Sequence, residues 1–260
     1  MRFGGKVMPV SFWKRKKEPE EKTVEEWAYT KLDGTYIKDH ILPINRNLYD
    51  TSNLVITDFM ATKRDHHPDL IGSTDIVRYG VMELLLEEVK KRGIPGECAE
   101  LGVYKGMTAR YINRMMPEKK LYLFDTFEGF DERDLDGQGM ASDRDGLSMF
   151  SDTSVEAVMA IMQYPESCEV RKGYFPETSV GLEDERFCFV SIDCDLYMPT
   201  LEGLKYFYPR LSKGGYMMIH DYNNAEFEEG IRRAIDEFRE IEDVSLVPIP
   251  DLYGSVVISK

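Results

Sequence analysis

Two acidic residues, Asp193 and Asp195, end the strand-like run Val190-Ser191-Ile192, and the pair His220-Asp221 ends a second run, Met218-Ile219. In neighbouring parallel strands such ends lie side by side. Two or three oxygen ligands with open positions are what magnesium, or another hard divalent cation, uses to hold a substrate oxygen. Asp193 and Asp221 are therefore candidate ligands, because carboxylates that end two central strands are rarely passive. Asp195 can equally cap the helix that follows it, and His220 can be an ordinary strand-end histidine.

A second group of residues reads as a nucleoside site. The stretch Glu97-Cys98-Ala99-Glu100-Leu101-Gly102-Val103-Tyr104-Lys105-Gly106 runs from an apolar strand through a glycine-bearing turn into a helical pattern. The next apolar run, Leu121-Tyr122-Leu123-Phe124, ends in Asp125, a carboxylate placed to accept both hydrogen bonds of a ribose diol. A dinucleotide fingerprint would read G-x-G-x-x-G and aim a helix N-terminus at a pyrophosphate. Here the spacing is Gly102-x-x-x-Gly106 without a third glycine, and Glu100 would repel a phosphate. A ligand with cationic groups fits better, and S-adenosylmethionine carries a sulfonium and an ammonium. Taken alone, Gly102 could be no more than a tight turn.

These residues need a sheet to hold them. From Gly96 onward strands and helices alternate, the pattern of a parallel sheet with right-handed crossovers. The expected strands are Glu97–Val103, Lys120–Asp125, Glu169–Lys172, Phe187–Asp193, Gly215–His220, Val244–Pro248 and Ser255–Ser259. The expected helices are Asp75–Lys91, Thr108–Met116, Ser154–Met162, Thr200–Leu211 and Phe227–Arg239, with a short one inside Glu177–Glu183. Only Ile249 to Gly254 joins the last two strands, too few residues for a helical crossover, so they must pair antiparallel. The expected fold class is α/β: a Rossmann-like, mostly parallel seven-stranded sheet closed by a terminal antiparallel hairpin, the layout of class I methyltransferases. Asp131 to Asp152 interrupts the alternation as a polar, glycine-bearing loop on the ligand side, where a lid would lie.

Composition narrows the function. At 260 residues with 42% hydrophobic content, the chain can bury one full core and carry an extension. A formal charge of −14 argues against a nucleic-acid partner, since phosphate contacts need a basic face. No apolar run approaches a membrane span and no signal-peptide core opens the chain, so the expected setting is cytoplasmic, without a membrane partner. Cys98, Cys168, Cys188 and Cys194 lack C-x-x-C spacing and read as free thiols, not as a zinc site. Residues 1–73 show no period beyond a short helix at Val24–Leu32, and they contain Phe12, Trp13, Trp27, Tyr29, Tyr36 and Tyr49. They are expected to form an arm on the catalytic domain, residues 74–260, or on a neighbouring subunit of a homo-oligomer.

Five blocks carry a family resemblance. Ala99–Gly106, Leu121–Phe130, Lys172-Gly173-Tyr174-Phe175-Pro176-Glu177-Thr178, Ser191–Tyr197 and His220-Asp221-Tyr222 resemble, in order and spacing, the macrocin O-methyltransferase family between Ile71 and Phe238. The resemblance implies an enzyme that uses S-adenosylmethionine and magnesium to methylate sugar hydroxyls. It implies cofactor contacts at Glu100, Gly102, Tyr104, Gly106, Asp125, Gly173, Tyr174, Phe175 and Asp193, and metal ligation by Asp193 and Asp221. Macrolide-sugar members often carry two adjacent carboxylates where this chain has His220-Asp221. Asp193, or alternatively His220, would then take the proton of a sugar hydroxyl while the alkoxide attacks the methyl in line. Tyr104, Tyr197 and Tyr222 are the aromatics expected beside the acceptor. Open alternatives are a catechol-type phenol as acceptor, an NAD-dependent oxidoreductase, and a non-catalytic nucleoside-binding protein.

Overall fold

The computed structural model describes residues 75–135, 149–223 and 228–260. The expectations for residues 1–73 and for most of the Asp131–Asp152 loop lie outside them. The chain enters through α1 (Ile76–Arg92), whose first turn is closed by the Asp75 side chain accepting from the Arg78 backbone N–H. Lys90, Lys91 and Arg92 fill its last turn, where the helix dipole favours cations, and Gly93 ends it in the left-handed region.

Alternation follows as expected: β1 (Glu97–Leu101), α2 (Met107–Met115), β2 (Leu121–Asp125), the short α3 (Glu132–Leu135), α4 (Val155–Ile161), β3 (Cys168–Lys172), β4 (Phe187–Ile192), α5 (Tyr197–Arg210), β5 (Leu211–Ile219), α6 (Glu228–Ile241), β6 (Val247–Pro248) and β7 (Val256–Ser259). The segment read as a short helix after β3 is a single 3-10 turn, Glu177–Ser179.

The seven strands lie in the order β3-β2-β1-β4-β5-β7-β6. The first five are parallel, and β7 runs antiparallel to both β5 and β6. Side chains alternate between two buried faces, as a doubly covered sheet demands. Ala99, Leu101, Tyr122, Phe124, Val190 and Ile192 pack on one side with Leu201, Leu204 and Phe207 of α5 and Ile231, Ile235 and Phe238 of α6. Cys98, Leu121, Leu123 and Phe189 pack on the other with Met82 and Leu86 of α1 and Ile112 of α2.

Two departures from expectation have simple causes. β5 starts at Leu211 instead of Gly215, because Phe187 already pairs with Leu211 below a register shift. β6 keeps only two residues: Val244 is buried in the core but stands outside the ladder, so apolar character there marks packing and not pairing.

The strand order reverses at β1, with β2 on one side and β4 on the other, and a crevice opens there at the carboxyl edge. The ladder runs on past the strand ends: Gly102 N–H donates to Phe124 O, Asp193 N–H to Leu101 O and His220 N–H to Ile192 O, at 2.8–2.9 Å. That continuation fixes the residues following β1, β4 and β5 side by side.

Candidate active site

A cavity of about 560 Å³ occupies this crevice. Its walls carry Glu100, Gly102, Tyr104, Asp125, Gly173, Tyr174, Phe175, Asp193, His220 and Asp221, all named by the sequence reading. Gly106 is the exception. It does not face the cavity; a Cβ there would meet Val158 Cγ1 of α4 at 2.8 Å, so this glycine, at φ +75°, serves packing. Gly102 sits at φ +84°, and a Cβ would lie 2.0 Å from Asp193 O. Only a residue without a side chain lets β1 end against β4 at that point.

Asp125 does more than end a strand. Its Oδ2 accepts from the backbone N–H groups of Val103 (2.6 Å) and Tyr104 (2.9 Å), and its Oδ1 from that of Phe127 (2.6 Å). The carboxylate thereby shapes the glycine turn, with Tyr104 held at φ +48°, and keeps at most one lone-pair direction for a ligand, with the Thr126 hydroxyl 3.5 Å from Oδ1. These N–H groups, which a dinucleotide loop would turn toward a pyrophosphate, are already committed. Beyond them the Tyr104 hydroxyl donates to Asp152 Oδ1 at 2.7 Å and Lys105 Nζ to Oδ2 at 2.5 Å, tying the turn to the chain that leads into α4.

Glu100 is 1% exposed, and its Oε2 has no hydrogen-bond partner. Burial and the neighbouring Asp193 push its carboxyl well above the usual range, with Arg78 and the Ala109 N–H acting the other way. Glu100 thus occupies the N-terminus of α2 from inside, a second reason why an anionic phosphate has no seat there.

At the other end of the cavity the charged groups interlock. Arg78 Nη2, from α1, pairs with Asp193 Oδ2 at 2.8 Å, and His220 Nδ1 stands 3.0 Å from Asp193 Oδ1 and 2.7 Å from Asp221 Oδ2. Burial raises the proton affinity of Asp193, but the charges of His220 and Arg78 outweigh it and hold this carboxyl well below its ordinary value. Burial pulls His220 down while Asp193 pulls it up harder, to about 10, so the imidazole carries a proton at neutral pH. Asp195, turned into the cavity by a φ of +60°, is pushed well above the carboxylate range by burial and by Asp193 and Asp221. It does not cap α5, whose first position follows Leu196 without any side-chain cap.

The aromatic expectation is partly overturned. Tyr104 lines the cavity, but Tyr197 turns away to hydrogen-bond Glu237 of α6, and Tyr222 lies under Arg232. Tyr253, from the β6–β7 turn, takes their place, its ring edge-on to His220 at 5.4 Å.

A family model described as macrocin-O-methyltransferase (TylF) matches residues 46–252. The chain belongs to this family. It is 26% identical over 190 residues, 68% of this chain and 70% of the relative, to the 8-demethyl-8-(2,3-dimethoxy-alpha-L-rhamnosyl)-tetracenomycin-C 4'-O-methyltransferase of Streptomyces olivaceus. It is 23% identical over 181 residues, 65% of this chain and 70% of the relative, to the mycinamicin III 3''-O-methyltransferase of Micromonospora griseorubida. Among solved structures it superposes on the O-methyltransferase NovP with a TM-score of 0.58 at 25% identity, covering 71% of this chain and 80% of that one. Both the family and the class I methyltransferase fold are thereby those read from the sequence, and the chain is an O-methyltransferase.

As a macrocin-O-methyltransferase family member the chain has a site wider than its motifs. Sequence reading missed Arg78 and Tyr253 because each comes from an element with no chemistry-bearing pattern, a leading helix and a terminal turn. Asp134 was missed too. It lies buried on α3, accepts from the Tyr174 hydroxyl at 2.8 Å and is raised to about 6 by burial.

Proposed function

We propose that this O-methyltransferase transfers the methyl of S-adenosylmethionine, with a divalent cation bound, to a hydroxyl of a sugar or glycosylated metabolite. The observation that carries the cofactor is the buried, unpartnered Oε2 of Glu100 on the cavity wall. An ammonium group placed there satisfies an acceptor that is costly to leave orphaned, whereas a phosphate would be repelled. Asp125 offers its remaining lone pair to the ribose, and Gly173, Tyr174 and Phe175 wall the nucleoside side.

The donor set also fits a cation. Asp193, His220 and Asp221 each offer a ligand atom, all within 4.8 Å of one another, and all three line the cavity. One imidazole among carboxylates admits manganese and its softer neighbours alongside magnesium. S-adenosylmethionine supplies an electrophilic methyl on sulfur, and a divalent cation lowers the pKa of a hydroxyl bound to it.

The chain's own residues do the rest. Glycine at 102 lets the β1 and β4 ends close on each other, setting the cofactor and acceptor halves of the cavity side by side. Arg78 neutralises Asp193 from behind. The hydroxyl proton passes to the carboxylate cluster. With a cation held there, Asp193, already paired with Arg78, is a poor acceptor, and His220 would spend its Nδ1 on the cation. We therefore place the base at Asp195, whose proton affinity its surroundings raise, and keep Asp193 and Asp221 as ligands. The sugar assignment is supported by the named substrates of the relatives, a rhamnosyl tetracenomycin and mycinamicin III. Tyr253 and Tyr104 offer faces on which an apolar sugar surface can rest.

Calorimetry with S-adenosylhomocysteine and NAD tests the cofactor. Binding of the first alone is expected, and binding of NAD alone would end the reading. Asp195→Asn tests the base: a loss of about 10²–10⁴ in kcat with unchanged S-adenosylhomocysteine affinity is expected. Full turnover by that variant would return the base role to Asp193 or His220.

A further inference from the structure

His220 is held from both edges of its ring. Nδ1 faces Asp221 and Asp193, while Nε2 is buried without a hydrogen-bond partner. Behind it lie Asp75, before α1, and Asp251, in the β6–β7 turn; the three residues each bring one ligand atom to within 4.8 Å of the others. Asp75 is engaged through both oxygens, by the Arg78 N–H at 3.1 Å and the Leu252 N–H at 3.3 Å. Asp251 uses only Oδ1, which accepts from the Ser255 N–H at 2.6 Å, and leaves Oδ2 buried with no partner.

A ring nitrogen of His220 and a carboxylate oxygen of Asp251 thus lie within 4.8 Å of each other, and each side chain carries one buried polar atom without a partner. Each is costly alone, and a hydrogen bond between them satisfies both. The turn that carries Asp251 is well anchored: Asn223 N–H donates to Gly254 O at 3.0 Å, and Tyr253 braces the ring edge-on.

We propose that Asp251 is a positioning residue that holds the Nε2–H of His220, so that Nδ1 is the nitrogen presented to a cation beside Asp193 and Asp221. This rests on the cation-dependent reading above. Histidine ligands in metal sites commonly hand their second N–H to a carboxylate, which fixes the tautomer and makes the bound nitrogen a better donor. Here the device accompanies, among the described residues, the position where an imidazole stands among carboxylates. The hairpin that closes the sheet thus acts on the site from outside it.

The test is Asp251→Asn in the full chain. Asparagine keeps an oxygen for the Ser255 N–H and turns an N–H toward Nε2, so a neutral ring must carry its proton on Nδ1. Titration with Mn2+ should then show affinity 10–100-fold weaker than wild type, with an unchanged unfolding temperature. Ring-nitrogen NMR of His220 in the neutral form should move from the Nε2–H to the Nδ1–H tautomer. In a His220→Asp background, where position 220 offers oxygen, the same substitution should leave Mn2+ affinity unchanged. Equal Mn2+ affinity in Asp251→Asn and wild type would overturn the proposal, as would an equal loss in both backgrounds, which marks a structural role. Two Mn2+ ions per wild-type chain, one lost in Asp251→Asn, would also overturn it by making Asp251 a ligand. A wild-type chain that binds no Mn2+ would instead sink the cation reading itself, and this proposal with it.

Discussion

Asp125 shows how a single carboxylate can serve structure and ligand together. Its oxygens accept three backbone N–H groups before any ribose arrives. Asp125→Ala should therefore weaken S-adenosylhomocysteine binding by about 1.5–3 kcal/mol and also lower the unfolding temperature. Calorimetry and a melting curve on one sample check both, and a change in affinity without a change in melting would show that the backbone bonds are dispensable. The charged cluster makes a prediction about pH. His220 has its folded pKa raised from 6.5 to about 10, so its contribution to stability is full below about 6.5 and fades as pH climbs through 10. Asp193 has the opposite sign: its contribution is present above about 3.8 and fades as pH falls. In chelator, the melting-temperature gap between wild type and His220→Asn should close between pH 7 and 10. A gap constant over that range would mean that the imidazolium does not stabilise the cluster.

At the scale of elements, the strand ends and the helix that backs them were legible, but the arginine that the helix brings to them was not. Periodicity and the short Ile249–Gly254 connection suffice for the sheet because a parallel core and a hairpin leave separate marks on hydrophobic pattern and loop length. That Asp193, His220 and Asp221 would come together was legible because strand ends in this topology meet at the switch point. Arg78 was not, since a buried arginine in a helix looks like any surface cation until its partner is known. Gly106 misled for the converse reason: a glycine in a ligand turn and a glycine under a packed valine have the same letter. Gly102→Ala carries both a positive φ and a 2.0 Å clash with Asp193 O, and it should destabilise the fold by more than about 2 kcal/mol. Denaturant unfolding reads this directly, and a wild-type midpoint would contradict the close approach of β1 and β4. On α3, Asp134 is raised from 3.8 to about 6, so its burial costs stability as pH rises through that interval. Asp134→Asn keeps an oxygen for the Tyr174 hydroxyl, and it should stabilise the protein by about 3 kcal/mol at pH 7 and by little at pH 4. An equal effect at both pH values would place the cause elsewhere.

For the whole molecule, the family model begins at residue 46, inside the segment read as an arm, so the family's sequence pattern extends further toward the N-terminus than the five motif blocks do. Among the described residues no helix is long and apolar enough to cross a membrane. The aromatics of residues 1–73 had no assigned place in the sheet, and the proposal that they bridge subunits has its own test. Light scattering should give a dimer or larger for the full chain and a monomer for residues 74–260, and a monomer in both would remove the interface. The central claim is transfer of a methyl group to a sugar oxygen at a cation-bearing site. Its most direct measurement is transfer of label from methyl-labelled S-adenosylmethionine to a panel of deoxysugar nucleotides, glycosylated natural products and catechols. Each acceptor is assayed in chelator and again after Mg2+ or Mn2+ is restored. The account predicts label on a sugar hydroxyl, lost in chelator and regained with the cation. Label on catechols alone would contradict the sugar assignment, and sugar methylation undiminished in chelator would contradict the role given to Asp193, His220 and Asp221.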